Sequence, residues 1–404
     1  MKVVLLAAGK GERLEPITDT RPKPFIPILG ETLIERTLRF VRELLQNPDI
    51  YVIIPDQLEK SYEAFFYKLN NVRFVKQGER KGTGGALFYV PKFSDDILII
   101  YGDIYTTKES IEAVITQEES AILGAEVPNP GEYGSLMIDE GGYLRGIIEK
   151  SQSPPSNLIN GGIFKVTPDF FEFVDKLQIS SRGEYELTDA LTNFSRRNKV
   201  KVVRTSAVWK DVGRPWDIIE VNKTELNGIH GSVMGIIESN VMIKGEVVIE
   251  EGSIVRHGSV IEGPVYIGKN SSIGPNAYIR PYTVIGSNSK IGSFVEVKES
   301  VIMENTKIPH LSYVGDSVIA EDVNFGAGTL IANLRFDERD IYVNIKEKRL
   351  NSGRKKLGAI IGAHVRTGIN VSILPGVKIG SYARIYPGAV VNRDVRRGEF
   401  FGLR

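Results

Sequence analysis

The chain has 404 residues, more than one core usually serves, so two or three domains are expected. Lys and Arg number 51 against 50 Asp and Glu, giving a net charge of +1, and no long block of one sign marks a nucleic-acid or membrane footprint. Cysteine is absent, which excludes disulfides, thiolate metal sites and cysteine nucleophiles and fits a reducing compartment. No apolar stretch approaches the roughly 18 residues of a membrane span, so the expectation is a soluble, cytoplasmic protein.

From Lys2 to about Trp216, short apolar runs alternate with helical patterns: VVLLAA, a helix near Thr32 to Gln46, YVIIP, a second helix, VRFVKQ, a third helix and ILIIYGD. That order predicts βαβ units and a mostly parallel, doubly wound, Rossmann-like α/β sheet over residues 1–228. Ligands of such sheets sit beyond the carboxyl ends of the strands. There the first strand runs into Ala7-Ala8-Gly9-Lys10-Gly11-Glu12-Arg13, a glycine-bearing turn whose small residues let backbone amides approach phosphate oxygens. Arg13 and then Lys23, in Pro22-Lys23-Pro24, add two cations within a short loop.

The stretch LAAGxGxRLxPxTxxxPKPxxPI resembles the signature of sugar-1-phosphate nucleotidylyltransferases, and the resemblance continues through this half. It implies that Ala8, Gly9 and Gly11 bind the nucleotide, while Arg13 and Lys23 hold the triphosphate and neutralise the leaving pyrophosphate. Gln77 and Gly82-Thr83-Gly84-Gly85-Ala86 resemble the base-recognition segment, implying a pyrimidine, UTP or dTTP. Asp103 in YGD and Asp211 in WKDVG resemble the aspartates that bind Mg2+; Asp103 also falls in the nucleotide set. Hard carboxylates combined with substrate phosphates suit that ion. Gly134, Glu149, Lys150 and Asn160 match the segments that bind the sugar 1-phosphate, with Ser151 standing where the family usually has Pro. The stretch EYELTD, Glu184 to Asp189, reads mainly as the start of a helix.

After about Gly235 the pattern changes. From Ile237 every sixth residue to Val297 is a β-branched aliphatic; the phase slips by one at Ile302 and again at Ile319, and returns from Ile361 to Val391 after an interruption. A six-residue period with turn-permissive neighbours predicts a parallel β-helix over residues 229–404. The interrupting segment, 332–357, is rich in Lys and Arg and reads as an external loop, either a solvated insertion or a clamp over an anion.

Arg280, Lys298, His310, Tyr313 and Asn324 are polar groups that a plain solenoid does not need. Their motifs RPxT, FVEVK, HLSYVGD and VNFGAGT resemble, in order and spacing, the acetyltransferase domain of the bifunctional N-acetylglucosamine-1-phosphate uridylyltransferase/glucosamine-1-phosphate acetyltransferase family, and the insertion resembles archaeal relatives. The resemblance implies a left-handed, trimeric β-helix. His310 then takes the proton of the sugar amine, Arg280 and Lys298 bind the sugar phosphate, and Tyr313, Asn324 and Asn333 orient the acceptor. Ala327 and Thr367 line the groove for acetyl-CoA, the co-substrate. His230, His257 and His364 read as solvated and idle.

Two other readings stay open on the residues alone: a single-activity nucleotidylyltransferase with a structural β-helix, and a noncatalytic interaction subunit. The set Arg280, Lys298, His310, Tyr313 and Asn324 argues against the first. Retention of Arg13, Lys23, Asp103 and Asp211 together argues against the second.

Overall fold

A computed structural model describes residues 1–56 and 60–402, without the side chains of 60 and 61. The chain forms two compact units: Met1–Gly9 with Leu33–Asp211, and Lys10–Thr32 with Val212–Arg404.

The first unit is built on a nine-stranded sheet. Its strands are β1 (Lys2–Leu6), β2 (Asp49–Pro55), β3 (Arg73–Gln77), β4 (Ile97–Tyr101), β5 (Ser120–Glu126), β6 (Gly134–Ile138), β7 (Leu144–Glu149), β8 (Leu158–Val166) and β9 (Val200–Arg204). β3, β2, β1 and β4 are parallel neighbours in that order. Val3, Val4 and Leu5 have no exposed surface, the signature of a central strand covered on both faces. Helix α1 (Leu33–Leu44) turns Leu33, Ile34, Thr37, Leu38 and Val41 inward, an apolar stripe at helical spacing.

Half of this sheet departs from the expected parallel pattern. β8 runs antiparallel to both β4 and β5, and β6 and β7 form an antiparallel hairpin. The reason is local: no helix separates β6 from β7 or β7 from β8, so the chain has no crossover with which to enter in parallel.

The second unit is a left-handed parallel β-helix with three faces of stacked short strands. The residues picked out by the sixfold period are its interior: Ile249, Val255, Ile261, Ile267 and Ile273 are fully buried, and the series continues to Val391. Each such side chain contributes roughly 1.5–3 kcal/mol by leaving water. Ile237, on the first coil, is 36% exposed.

A full coil takes 18 residues, pairing Val247 with Val265 and Val265 with Thr283. Steps from the first face to the second (Ile285 to Ile291, Ile302 to Ile308, Ile319 to Phe325) and from the second to the third (Ile291 to Val297, Ile308 to Val314, Phe325 to Ile331) all keep the six-residue length. The two slips, Val297 to Ile302 and Val314 to Ile319, both fall at the corner from the third face back to the first. So does the long excursion from Ile331 to Ile361.

That excursion is not the solvated loop its charge suggested. Tyr342–Ile345 and Lys348–Asn351 form an antiparallel hairpin, and Ile341, Val343 and Ile345 are buried. The period-two alternation of apolar and polar residues there gives the hairpin an inner face. Helix α2 (Pro215–Leu226) lies along the β-helix strands Val301–Ile302 and Val318–Ile319.

Candidate active sites

In the first unit, Gln77, Gly134 and Glu149 lie at strand ends, Asn160 lies within β8, and Gly82 and Thr83 open the short helix Thr83–Leu87. Gln77 closes β3, and its side-chain amide donates to the carbonyls of Arg80 (2.8 Å) and Gly82 (3.0 Å), bracing the glycine-rich turn. Gly82 has φ +92°, and a Cβ there would lie 2.5 Å from the Tyr185 carbonyl, so only glycine fits. Gly84 N–H donates to that same carbonyl at 2.9 Å, and the Thr83 hydroxyl accepts from Leu187 N–H at 3.3 Å. The segment 184–187 thus forms the floor of the glycine-rich turn and, as its sequence indicated, leads into the helix Leu187–Ser195. The three closely spaced glycines 82, 84 and 85 were the available signal, because such clusters mark close backbone approach.

Asp103 follows β4, and Asp211 lies on a short strand paired with Ile104–Tyr105, where Asp211 is opposite Ile104. The pairing brings the two carboxylate-bearing segments side by side. Among the described residues no group of three His, Asp or Glu side chains forms a ready metal cage. Two hard carboxylates, joined by substrate phosphate oxygens, are a donor set that suits Mg2+.

Gly134 and Glu149 face one another across the β6–β7 hairpin. A Cβ at Gly134 would come within 2.8 Å of the Glu149 carboxylate, so the glycine makes the space that carboxylate occupies. Burial pushes the Glu149 carboxyl above the usual range, partly offset by Arg182, whose guanidinium is 3.8 Å away. Lys150 follows in the left-handed region, its N–H bonded to the Tyr133 carbonyl at 3.0 Å. Asn160 accepts from Gly162 N–H at 2.9 Å, where the β8–β5 register shifts. Trp209 packs edge-on to Tyr133 and donates to the Gly161 carbonyl at 2.8 Å.

Ala8 and Gly9 belong to this unit, whereas Gly11, Arg13 and Lys23 belong to the unit of the β-helix. Three short 3-10 turns, Glu12–Leu14, Ile17–Asp19 and Lys23–Phe25, carry the latter segment. The Thr18 hydroxyl bonds the Gly11 carbonyl at 2.9 Å, and Lys23 is only 6% exposed.

On the β-helix, Arg280, Lys298 and Tyr313 come from the third face. Tyr278 pairs with Glu296, Glu296 with Tyr313, and Lys298 with Gly315, so the three polar groups rise on successive coils. Lys298 donates to both oxygens of Asp316 at 3.0 Å, and Asp316 is buried. Asn333 donates to Asp316 and, at 3.2 Å, to the Tyr313 hydroxyl. Arg280 pairs with Glu296 at 2.8 Å. Burial, then Asp316 and Glu296, push the Tyr313 phenol up.

His310 ends the strand Lys307–His310 on the second face and is exposed. Asn324 stacks on Lys307 one coil on, and Gly328 N–H reaches the His310 carbonyl, which sets Ala327 beside His310. Thr367 is buried. It occupies an inward position of the sixfold series, and its hydroxyl bonds Thr329 at 2.8 Å and Gly326 N–H at 3.0 Å. An open groove of about 230 Å³ runs past Arg366, Thr367, Gly368, Arg384 and Tyr386. His364 is held by its neighbours: its ring stacks on Tyr382 and its Nδ1 lies 2.7 Å from Asp322.

Residues 2–228 match the nucleotidyl transferase family, residues 261–350 the GMPPB C-terminal domain, and residues 358–393 the bacterial transferase hexapeptide family. A bifunctional sugar-1-phosphate nucleotidylyltransferase/acetyltransferase from Sulfurisphaera tokodaii is 58% identical over 99% of this chain and all of its own length. The chain belongs to this bifunctional family. The bifunctional protein GlmU of Methanocaldococcus jannaschii is 47% identical, covering 99% of this chain and 97% of its own; that of Gloeothece citriformis is 29% identical over 97% and 94%. A bifunctional nucleotidylyltransferase/acetyltransferase needs two sites, and there are two sets of candidate side chains, one mainly on the first unit and one on the β-helix. Membership removes the noncatalytic subunit as a reading.

Proposed function

We propose that the β-helix transfers the acetyl group of acetyl-CoA to glucosamine 1-phosphate, and that the N-terminal site joins the resulting N-acetylglucosamine 1-phosphate to UTP, with dTTP as a second nucleotide, releasing pyrophosphate. The observation that supports this most directly is the grouping of Lys298, Tyr313 and Asn333 around buried Asp316, with Arg280 one coil earlier on the same face and His310 on the adjoining face.

Arg280 and Lys298 bind the phosphate of the amino sugar, and Tyr313, Asn324 and Asn333 orient its ring and amine. His310 removes a proton as the amine nitrogen attacks the thioester carbon. The C–N bond forms, the C–S bond breaks, and coenzyme A leaves as its thiol. Histidine suits this step because its ordinary pKa lies near neutrality. Ala327 and the groove beside Thr367 accommodate the acetyl-CoA arm.

In the N-terminal site Gly134, Glu149, Lys150 and Asn160 hold the sugar phosphate. Ala8, Gly9, Gly11, Gln77, Gly82 and Thr83 hold the nucleotide. A phosphate oxygen of the sugar attacks the α-phosphorus in line with the departing pyrophosphate, whose charge Arg13 and Lys23 neutralise. Such transfer depends on alignment and charge neutralisation more than on a covalent catalyst. Asp103 and Asp211 would hold Mg2+, which supplies charge stabilisation on the phosphate oxygens when bound. The protein works as a cytoplasmic homotrimer; among the described residues no helix is long and apolar enough to cross a membrane.

The test compares His310→Ala with the intact chain. Thiol release from acetyl-CoA with glucosamine 1-phosphate is lost, and pyrophosphate release from UTP and N-acetylglucosamine 1-phosphate is kept. Absence of thiol release from the intact chain, with galactosamine 1-phosphate as the comparison acceptor, refutes the acetyl-transfer half.

A further inference from the structure

The segment 10–32 carries Arg13 and Lys23 but has little structure of its own beyond its three short turns and a two-residue ribbon, Pro27–Ile28 with Glu31–Thr32. Such a segment must be fixed from outside if its cations are to hold one position. The means is a row of groups along one corner of the β-helix. Glu304, Glu321 and Ser381 each lie two residues beyond an interior residue of the first face, Ile302, Ile319 and Ile379, and so form a column along the axis. Arg21 meets the first two. Its guanidinium is 2% exposed, pairs with Glu304, and reaches Glu321 through Nη2 at 3.2 Å and Nε at 3.4 Å.

Neighbouring contacts extend the seat. The Thr20 hydroxyl bonds Glu321 at 2.8 Å, and Ser381 N–H bonds Asp19 at 3.0 Å. On the coil between, a Cβ at Gly362 would come within 3.0 Å of Pro16. Arg21 also donates through Nη1 to the Phe25 carbonyl at 3.0 Å, so one side chain spans the turn that holds Lys23 and bonds the coil at the same time. By comparison Lys346 and Glu12, which meet at 2.6 Å, are each about half exposed, and that pair contributes little. A coil built only for stacking has no use for carboxylates against a buried arginine, because burying a guanidinium is costly unless it is paired.

We infer that Arg21, seated on Glu304 and Glu321, is a positioning residue for nucleotidyl transfer: the β-helix holds the Arg13 and Lys23 segment in its working geometry, so the acetyltransferase fold contributes to the other reaction. The inference rests on the proposed role of Arg13 and Lys23 at the triphosphate. Misplacement of such groups by about an ångström costs on the order of a hundredfold in rate.

The experiment uses the full chain and the variants Arg21→Lys, Arg21→Met, Glu304→Gln, the double variant Glu304→Gln/Glu321→Gln, and Lys23→Ala. Pyrophosphate release from UTP and N-acetylglucosamine 1-phosphate is measured beside acetyl transfer to glucosamine 1-phosphate. The double Gln variant and Arg21→Met are expected to lose about ten- to a hundredfold in nucleotidyl kcat. Their KM for UTP rises while KM for the sugar 1-phosphate and acetyl transfer stay within about twofold, and Arg21→Lys recovers part of the loss. Should Arg21→Met fail to fold, the milder Glu304→Gln and Arg21→Lys carry the comparison, since Glu304 is one-third exposed. Loss of both activities by the same factor reduces the seat to a structural contact and overturns the inference. So does full nucleotidyl activity in the double Gln variant while Lys23→Ala is inactive. Full activity in Lys23→Ala instead overturns the underlying reading of the segment.

Discussion

Replacing Lys298 by Met tests whether the acceptor site is built around a buried charge. Asp316 is 1% exposed and its two oxygens each accept from Lys298 at 3.0 Å; Lys298 is 17% exposed. Removing one member of a buried pair costs about 3–5 kcal/mol, because the other charge is left without compensation. Here Asn333 still donates to Asp316 and the Arg354 guanidinium stays 3.7 Å away, which places the cost at the low end, about 3 kcal/mol. Adding Asp316→Asn removes the stranded charge and restores all but about 1 kcal/mol. The assay is denaturant unfolding followed by circular dichroism for wild type, both single variants and the double, together with KM for glucosamine 1-phosphate. Stability returns in the double variant, whereas KM stays raised in Lys298→Met and in the double alike. If Lys298→Met unfolds at the wild-type denaturant concentration, or the double variant is no more stable than the single, the ion pair is not what organises the site.

Gly134→Ala forces a methyl to within 2.8 Å of the Glu149 carboxylate and 2.9 Å of the Ile147 side chain. The overpacking costs about 1–3 kcal/mol locally and raises nucleotidyl KM for the sugar 1-phosphate, with KM for UTP and acetyl transfer unchanged in steady-state assays. Burial raises the Glu149 carboxyl, so on acidification it takes up its proton before exposed carboxylates do; its charged form is disfavoured by folding above that pKa and the penalty vanishes below it. Sugar 1-phosphate KM therefore climbs at a pH above the ordinary carboxylate range, and Glu149→Gln flattens that limb of the pH profile. Gln77→Ala removes the two bonds bracing the Arg80 and Gly82 carbonyls, each worth about 0.5–1.5 kcal/mol, and raises KM for UTP about tenfold without altering acetyl kinetics. Chelation of divalent ions stops pyrophosphate release and leaves thiol release intact, as measured in one reaction mixture.

What the sequence made legible follows from how each feature is encoded. Interior positions of the β-helix repeat at a fixed step, so Ile249, Val255, Ile261 and their successors could be read one by one, and all are buried. Thr367 was placed by the same step, but its hydroxyl bond to Thr329 inside the coil could not be, because the period says which way a side chain points and not what it meets. The hairpin at 342–351 was hidden by its lysines and arginines; its inward residues Val343 and Ile345 amount to two alternations, too few to stand above charge. Arg21 left no trace at all. Its partners Glu304 and Glu321 lie 283 and 300 residues away, and a single pair at such separation has no local pattern. The glycines at 82, 84 and 85 did announce a close approach, yet only the structure names Tyr185 as what approaches.

Two corners of the β-helix keep a constant step, while the third is shortened by one residue on two coils and then opened into the long excursion ending at Ile361. Lys298, Glu299, Asp316, Asn333 and Arg354 all lie at or beyond that one corner. The solenoid thereby treats its edges differently: two edges keep their step, and one is released from repetition and gathers the ion-pair cluster around Asp316. Because each coil bonds only its neighbours, a length change on the released edge is absorbed within one rung and never reaches the interior stack. New polar groups can therefore be gained or exchanged on that edge without renegotiating the fold that supports them.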